Sequence, residues 1–462
     1  MAAFATSTAN IGSSTIERGL TLSTFSAEAS AGLDGPDWLR RRRAAGFEAF
    51  SSTPLPSENE EVWRYSPIDQ LSLEDFSPSV GPGAAAGAAS PEALALFEML
   101  RSALGRIAAC VLVLDGHTVP STWASVGNGD SEAFQFGSAE TVAAAADMLG
   151  FVQRGGDALV RLNDAFAPDP IFVDVPGGVT VDGPVLVVHW CEHESASFSR
   201  LCVRAGTGAA VSVVEVFAGP PTPAAARSLV VPVTELAAAD DASVSYVSLQ
   251  TLAHSAWSIA RLSARGGRNS SVRTFSVGLG AAYDRIRTDV TVDGKDARSE
   301  ILSAYLGAGT QVHDIRTLQD HAAPRTNSEL LCQGAVAGRS RSVYSGLIRV
   351  QRGAVRSDAR QTNHNLVLDE GAHADSVPNL DILENDVKCS HASTVGPVDE
   401  DQRYYIESRG VSPEVAEGLI VRGFFDAIID RGPVPAVRPI LEREVHDRLS
   451  AALGRRRVAA GA

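Results

Sequence analysis

Pro170 to Trp190 reads PIFVDVPGGVTVDGPVLVVHW. Short Val/Ile-rich runs are broken by Pro-Gly-Gly and Asp-Gly-Pro, the residues that turns demand, and neither run is long enough for a helix. The same texture continues from about Ala165 to about Gly396. It recurs in GTGAAVSVVEVF (206–217), DDASVSYVSLQTL (240–252), NSSVRTFSVGLG (269–280), DRIRTDVTVDG (284–294) and SVYSGLIRVQRGAV (342–355). Turn-like segments return near Gly206, Asp240, Gly267 and Gly294 with a loose period, as in a solenoid. A closed barrel or sandwich would need meandering hairpins with two-residue turns. A parallel β-helix needs short strands stacked coil on coil, with small residues at the corners. Ala, Ser, Gly and Val abound and aromatics are only 6%, which favours the β-helix.

Helical segments flank this core. Asp37 to Phe50 is a helix candidate, and Ser79 to Ser90 reads as a Gly/Ala/Pro/Ser linker. Ser90 suits an N-cap and Pro91 the first helical position, ahead of a stripe of Leu94, Phe97, Leu100 and Leu104. Ile107 to Gly116 reads as a buried strand ending in a turn, and TVAAAADMLGFV (141–152) as another helix. After the core, Ser412 and Pro413 open a helix with Val415, Leu419, Phe425 and Ile429 near one face, stopped by Gly432-Pro433. A second helix, Pro435 to Leu453, spaces Val437, Leu441, Val445 and Leu449 by four. The expected organisation is a mostly helical region over 1–160, a β-helix over 161–400 and a helical region over 401–462.

The 462 residues are 44% hydrophobic, ample for a large core. A net charge of −15 with scattered Lys and Arg argues against a nucleic-acid surface. Five cysteines at irregular spacing are not a disulfide framework and suit a reducing cytoplasm. The N-terminus lacks the basic and apolar regions of a signal peptide, although it is Ser/Thr-rich and poor in acids as transit peptides are. No run of 18 apolar residues offers a membrane span. Ala205 to Ala210, AGTGAA, lacks the Gly-Lys-Ser/Thr ending of a phosphate loop.

Asp386 to Gly396, DVKCSHASTVG, carries the most chemistry. On a strand, Val387, Cys389, His391 and Ser393 share a face, and residues two apart are separated by roughly 6–7 Å. A thiolate and an imidazole so placed can share a metal ion or a sulfur species. Two ligands cannot fill a tetrahedral site, so this chemistry needs a second chain. The plainer alternative is a buried thiol beside a surface histidine. His189, Cys191 and His193 also alternate along HWCEH and are a weaker metal candidate. Cys110 and Cys332 read as core thiols, and His321 as a structural hydrogen-bonding group.

KCSHASTVG closely resembles the hallmark of the SufD branch of the SufB/SufD family of iron–sulfur cluster assembly scaffolds. DEDQRYYIESRGVSPEVAEGLIVRGFF after it resembles the family too, as do SVYSGLIRVQRGAVRSDARQTNHNLVLDEGAHADSVPNLDILENDV and FVDVPGGVTVDGPVLVVHW before it. EEVWRYSPI (60–68) is similar to the family's N-terminal segment. His364, between Asn363 and Asn365, departs from the family's Thr-Asn-Asn pattern. SufB-like chains carry Glu-His-Glu in place of Cys-Ser-His, and further cysteines absent here. The resemblance implies a mainly β fold: a right-handed parallel β-helix core with helical N-terminal and C-terminal regions. It implies a SufB partner bound through the β-helix and a SufC ATPase bound through the C-terminal helices. SufC-docking candidates are Val415, Leu419, Phe424, Phe425 and Ile428. It implies a transient iron–sulfur cluster at the partner interface, with His391 and Cys389 as cluster-assembly and metal candidates, and does not speak to flavin. It implies no stand-alone turnover, ATP hydrolysis coming from SufC. The alternatives are a SufB-like sulfur-accepting scaffold and a β-helix carbohydrate-active enzyme. The second would need paired carboxylates in an aromatic-lined groove, and the 6% aromatic content and lack of a signal-peptide pattern count against it.

Overall fold

The computed structural model describes residues 24–80, 89–125, 134–191, 195–220 and 227–460. Its centre is a parallel β-solenoid with two facing sheets. One sheet stacks β2 (Ile171–Val175), β4 (Arg200–Ala205), β6 (Val233–Ala238), β8 (Trp257–Gly266), β10 (Tyr283–Val292), β12 (Val312–His321), β14 (Arg341–Val350) and β16 (His373–Ile382). The other stacks β1 (Ala109–Leu114), β3 (Val185–Trp190), β5 (Ala210–Ala218), β7 (Ser243–Gln250), β9 (Ser271–Gly278), β11 (Arg298–Gly307), β13 (Asn327–Val336), β15 (Asp358–Val367) and β17 (Lys388–Gly396). The chain alternates between the sheets, so each coil lies on the one before. The solenoid reading is borne out.

The corners explain the recurring turn residues. Asp241, Asn269, Asp296, Arg325 and Arg356 take left-handed φ values of 54–66° in successive coils. The N–H of Asp241 donates to the Arg268 carbonyl of the next coil at 2.7 Å, and that of Asn269 to Lys295 at 2.9 Å. Gly294 is required by close approach, since a Cβ there would lie 1.9 Å from the Arg268 amide nitrogen. AGTGAA is one such corner, joining β4 to β5.

Several expectations need correction. The β-rich region opens later than Ala165, because Ala158–Phe166 is helical with Asp157 as its N-cap. The buried strand read over Ile107–Gly116 is present as β1, and it pairs in parallel with β3, so the second sheet begins there. Only Ala145–Met148 of TVAAAADMLGFV is α-helical. Ser90 does cap Pro91–Leu104, accepting from the Ala93 N–H. On that helix Ala93 joins Phe97, Leu100 and Leu104 in the core while Leu94 stays exposed. Most of the 79–90 linker lies outside the described residues. The Glu60–Ile68 segment clamps the N-terminal region to the first sheet. The Arg285 guanidinium lies 3.7 Å from the centre of the Trp63 ring and donates to the Val62 carbonyl at 2.6 Å. No helix among the described residues is long and apolar enough to cross a membrane.

Candidate functional site at the open end of the solenoid

The two ends of the solenoid are built differently. At the N-terminal end, Gln135–Gly137 pairs antiparallel with β2, and His117–Thr118 and Ala124–Ser125 pair antiparallel with β1. At the C-terminal end β16 and β17 are the last strands of their sheets, ten and nine residues long, and no described strand pairs with their far edges. Long unblunted edges are what natural sheets usually avoid, because they template pairing with another chain.

Register fixes which side chains line this mouth. Cys389, His391 and Ser393 stack on Ala359, Gln361 and Asn363, which are all buried inside the solenoid. They therefore point inward on one face, as strand alternation predicts. One coil earlier such side chains are enclosed; here no further coil among the described residues covers them and His391 is exposed. Opposite stand Ser376, Pro378, Leu380 and Ile382 of β16, stacked on Tyr344, Gly346, Ile348 and Val350. Leu380 and Val395 are 42% and 46% exposed, leaving an apolar rim.

A hydrogen-bonded layer forms the floor. Ser393 Oγ donates to Ser376 Oγ at 2.6 Å, and Ser376 Oγ to Asn363 Oδ1 at 2.9 Å. Asn365 Nδ2 donates to the same Asn363 oxygen at 2.7 Å, and Tyr305 donates to Asn365. This layer ties the two terminal strands across the lumen. Cys389 is half-buried beside Ala354, Ala359, Ile382 and Val387. Burial, reinforced by the charge of Asp358, raises its thiol pKa, so at neutral pH it is a thiol rather than a thiolate. His364 faces outward, with Nδ1 2.6 Å from Thr394 Oγ1.

The other candidates separate. His189 points into the lumen, its Nε2 2.8 Å from Glu215 Oε1 and its ring stacked on Phe217. The remaining Glu215 oxygen accepts from Thr234 at 3.0 Å and from Tyr246 at 2.5 Å. Strand β3 ends at Trp190, and Cys191 just beyond it sits in an apolar cluster with Phe217 and Leu252. His193 lies outside the described residues. Among the described residues no three His, Cys, Asp or Glu side chains are grouped to hold a metal. Cys110 and Cys332 are fully buried, and burial pushes the Cys332 thiol up to about 12. His321 sits between Thr326 Oγ1 and Ser328 Oγ, both at 2.7 Å, and burial pulls it down to about 4. It is a neutral structural group.

The C-terminal helices are α4 (Glu400–Glu407), α5 (Pro413–Ile429) and α6 (Arg438–Ala460), counted after α1 (Asp37–Ser52), α2 (Pro91–Leu104) and α3 (Ala158–Phe166). α5 buries Val421, Phe425, Ile428 and Ile429 in the core cluster shared with the outer face of the second sheet and α6, and Ala416 is buried as well. Phe425 and Ile428 have no exposed surface and cannot meet a partner directly. At about 100° per residue, Val415 and Leu419 lie about 80° and 120° round the helix from Phe425. They are 50% and 49% exposed, and Phe424 is half-buried. Tyr404 and Tyr405 of α4, to which no role was assigned from the sequence, are 73% and 60% exposed.

A family model described as "SUF system FeS cluster assembly, SufBD core domain" matches residues 189–424, just over half of the chain. The chain is 27% identical over 382 residues to the iron–sulfur cluster assembly protein SufD of Escherichia coli, covering 80% of this chain and 84% of that protein. It is 29% identical over 294 residues to SufD of Bacillus subtilis, covering 62% and 67%. It is 35% identical over 192 residues to an iron–sulfur cluster assembly SufBD family protein of Mycobacterium leprae, covering 40% and 49%. The chain thus spans about half the length of that mycobacterial relative.

Proposed function

The chain belongs to the SufBD family of SUF-system iron–sulfur cluster assembly proteins, and on that premise we propose that it is a SufD-type scaffold without turnover of its own. Its open solenoid end pairs with a homologous SufB, its C-terminal helices hold the ATPase SufC, and the complex works in the cytoplasm. The observation that carries this is the contrast between the two ends: one blunted by antiparallel strands, the other presenting free edges around Cys389 and His391.

The residues divide the work. β16 and β17 offer their edges and the apolar rim of Leu380 and Val395 to the partner strands. His391 and Cys389 supply two donors, and the partner supplies the others that iron needs during assembly. The Cys389 thiol keeps its proton until metal binding displaces it, so ligation releases a proton. SufC engages Val415, Leu419 and Phe424, which α5 leaves at or near the surface. Phe425 and Ile428 act indirectly by fastening α5 to the solenoid. Arg431 reinforces that joint, donating to Glu300 and Glu329 at 2.7 and 2.8 Å and accepting from Arg273 at its carbonyl. A pull on α5 by ATP-driven SufC dimerisation therefore reaches the solenoid and opens the mouth.

The test is complementation of a SufD-deficient strain. His391→Ala should impair cluster assembly with the fold intact, and Cys389→Ser should do so more weakly. Full growth of the double variant would remove the site from the account.

A further inference from the structure

The coil beneath His391 contains an anomaly. Gln361 is 1% exposed, and among the described residues neither Oε1 nor Nε2 has a hydrogen-bond partner. A buried amide with both ends unpaired destabilises a fold, and such a group in a native protein calls for a reason. Its own row of the solenoid gives no partner below, because Gln361 stacks on Leu330. Above it in the same row stands His391. Adjacent strands lie about 4.8 Å apart, so the amide lies one layer under the imidazole. Gly346 makes the room, since a Cβ there would come within 2.5 Å of Gln361 Nε2.

A histidine that binds a metal through one ring nitrogen almost always donates its other N–H to an oxygen, and this fixes its orientation and tautomer. Ser393 and Asn363 are already committed to the floor layer. The geometry points to Gln361 as a positioning residue for His391. When the mouth is occupied, the Gln361 amide turns upward from Gly346 and its Oε1 accepts the N–H of the imidazole nitrogen left free by the bound iron. The unpaired amide of the free chain is a partner held in reserve for the loaded site. This rests on the reading of the open end as the assembly site.

The experiment compares Gln361→Met, Gln361→Glu and His391→Ala in the full chain. Met keeps length and flexibility but cannot accept the N–H, whereas Glu keeps the acceptor. Melting of each isolated chain is measured beside iron–sulfur content of the complex co-expressed with its SUF partners. Gln361→Met relieves an unpaired amide, so its Tm should rise by about 2 °C or more while cluster content falls about tenfold. Gln361→Glu should retain most of the cluster content. A lower Tm for Gln361→Met would make the amide structural and overturn the proposal. Wild-type cluster content in Gln361→Met with a defective His391→Ala would overturn it while leaving the site standing. Wild-type content in His391→Ala would remove the site and the proposal together.

Discussion

Phe425 and Leu419 lie six residues apart on one helix and should fail in opposite ways. Phe425 is fully buried between the solenoid and α6, whereas Leu419 is 49% exposed. A buried phenylalanine removes about 150–200 Å² of apolar surface from water, or about 4–5 kcal/mol at about 25 cal/mol/Å². Phe425→Ala should therefore destabilise the seating of α5 by about 3–5 kcal/mol once a cavity is left behind. Leu419→Asp should cost under about 1 kcal/mol, since it disturbs only an exposed helix position. If Leu419 is a central contact for SufC, the same change should weaken that complex by at least about 2 kcal/mol, roughly 30-fold in Kd. Hydrogen exchange over residues 413–460 reads the first quantity and titration with purified SufC reads the second. Phe425→Ala should exchange faster throughout the C-terminal helices. Leu419→Asp should exchange like the wild type and lose SufC. Unchanged SufC affinity in Leu419→Asp would show that docking uses another surface. Unchanged exchange in Phe425→Ala would refute the anchoring of α5.

Two further outcomes follow from the buried groups. Burial holds the folded His321 at about 4, below the roughly 6.5 of an unfolded histidine. The unfolded chain takes up the proton first, so this contribution is complete above pH 6.5 and lost as pH falls towards 4, up to about 3 kcal/mol. His321→Gln should flatten that part of the stability profile in urea melts at pH 7 and pH 5, and an unchanged slope would contradict the assignment. Four of the five free cysteines are buried and Cys389 is half-buried. Ellman's reagent should thus modify one thiol in the native chain, faster as pH rises because burial raises the thiol pKa, and no thiol in Cys389→Ser. Rapid labelling of a second thiol under native conditions would show that the core is looser than described.

The solenoid was legible because its corners repeat: Gly206, Asp240, Gly267 and Gly294 mark places where one coil rests on another. That Cys389 and His391 share a face was legible from alternation alone; that this face is the inner one required the register. That they stand at a mouth was not, because exposure there depends on which strand comes last in each sheet. The buried face of α5 is harder to read for a different reason. Val415, Ala416, Leu419, Ile420, Val421, Phe424, Phe425, Ile428 and Ile429 surround most of the helix, so periodicity admits more than one stripe. Packing selects the one through Val421, Phe425 and Ile428. HWCEH cannot be followed as an alternating set, because the strand stops at Trp190 and His193 lies outside the described residues. Gln361 and Ser376 carry no motif, and their interest appears only once register places them beside His391 and Ser393.

The open end as a partner-binding edge can be tested by hydrogen exchange of the chain alone and with purified SufB. Pairing with SufB should slow exchange in residues 373–382 and 388–396, strands β16 and β17, and leave residues 109–118 and 135–137 at the capped end unchanged. Protection at the capped end, with β16 and β17 exchanging as before, would contradict the account.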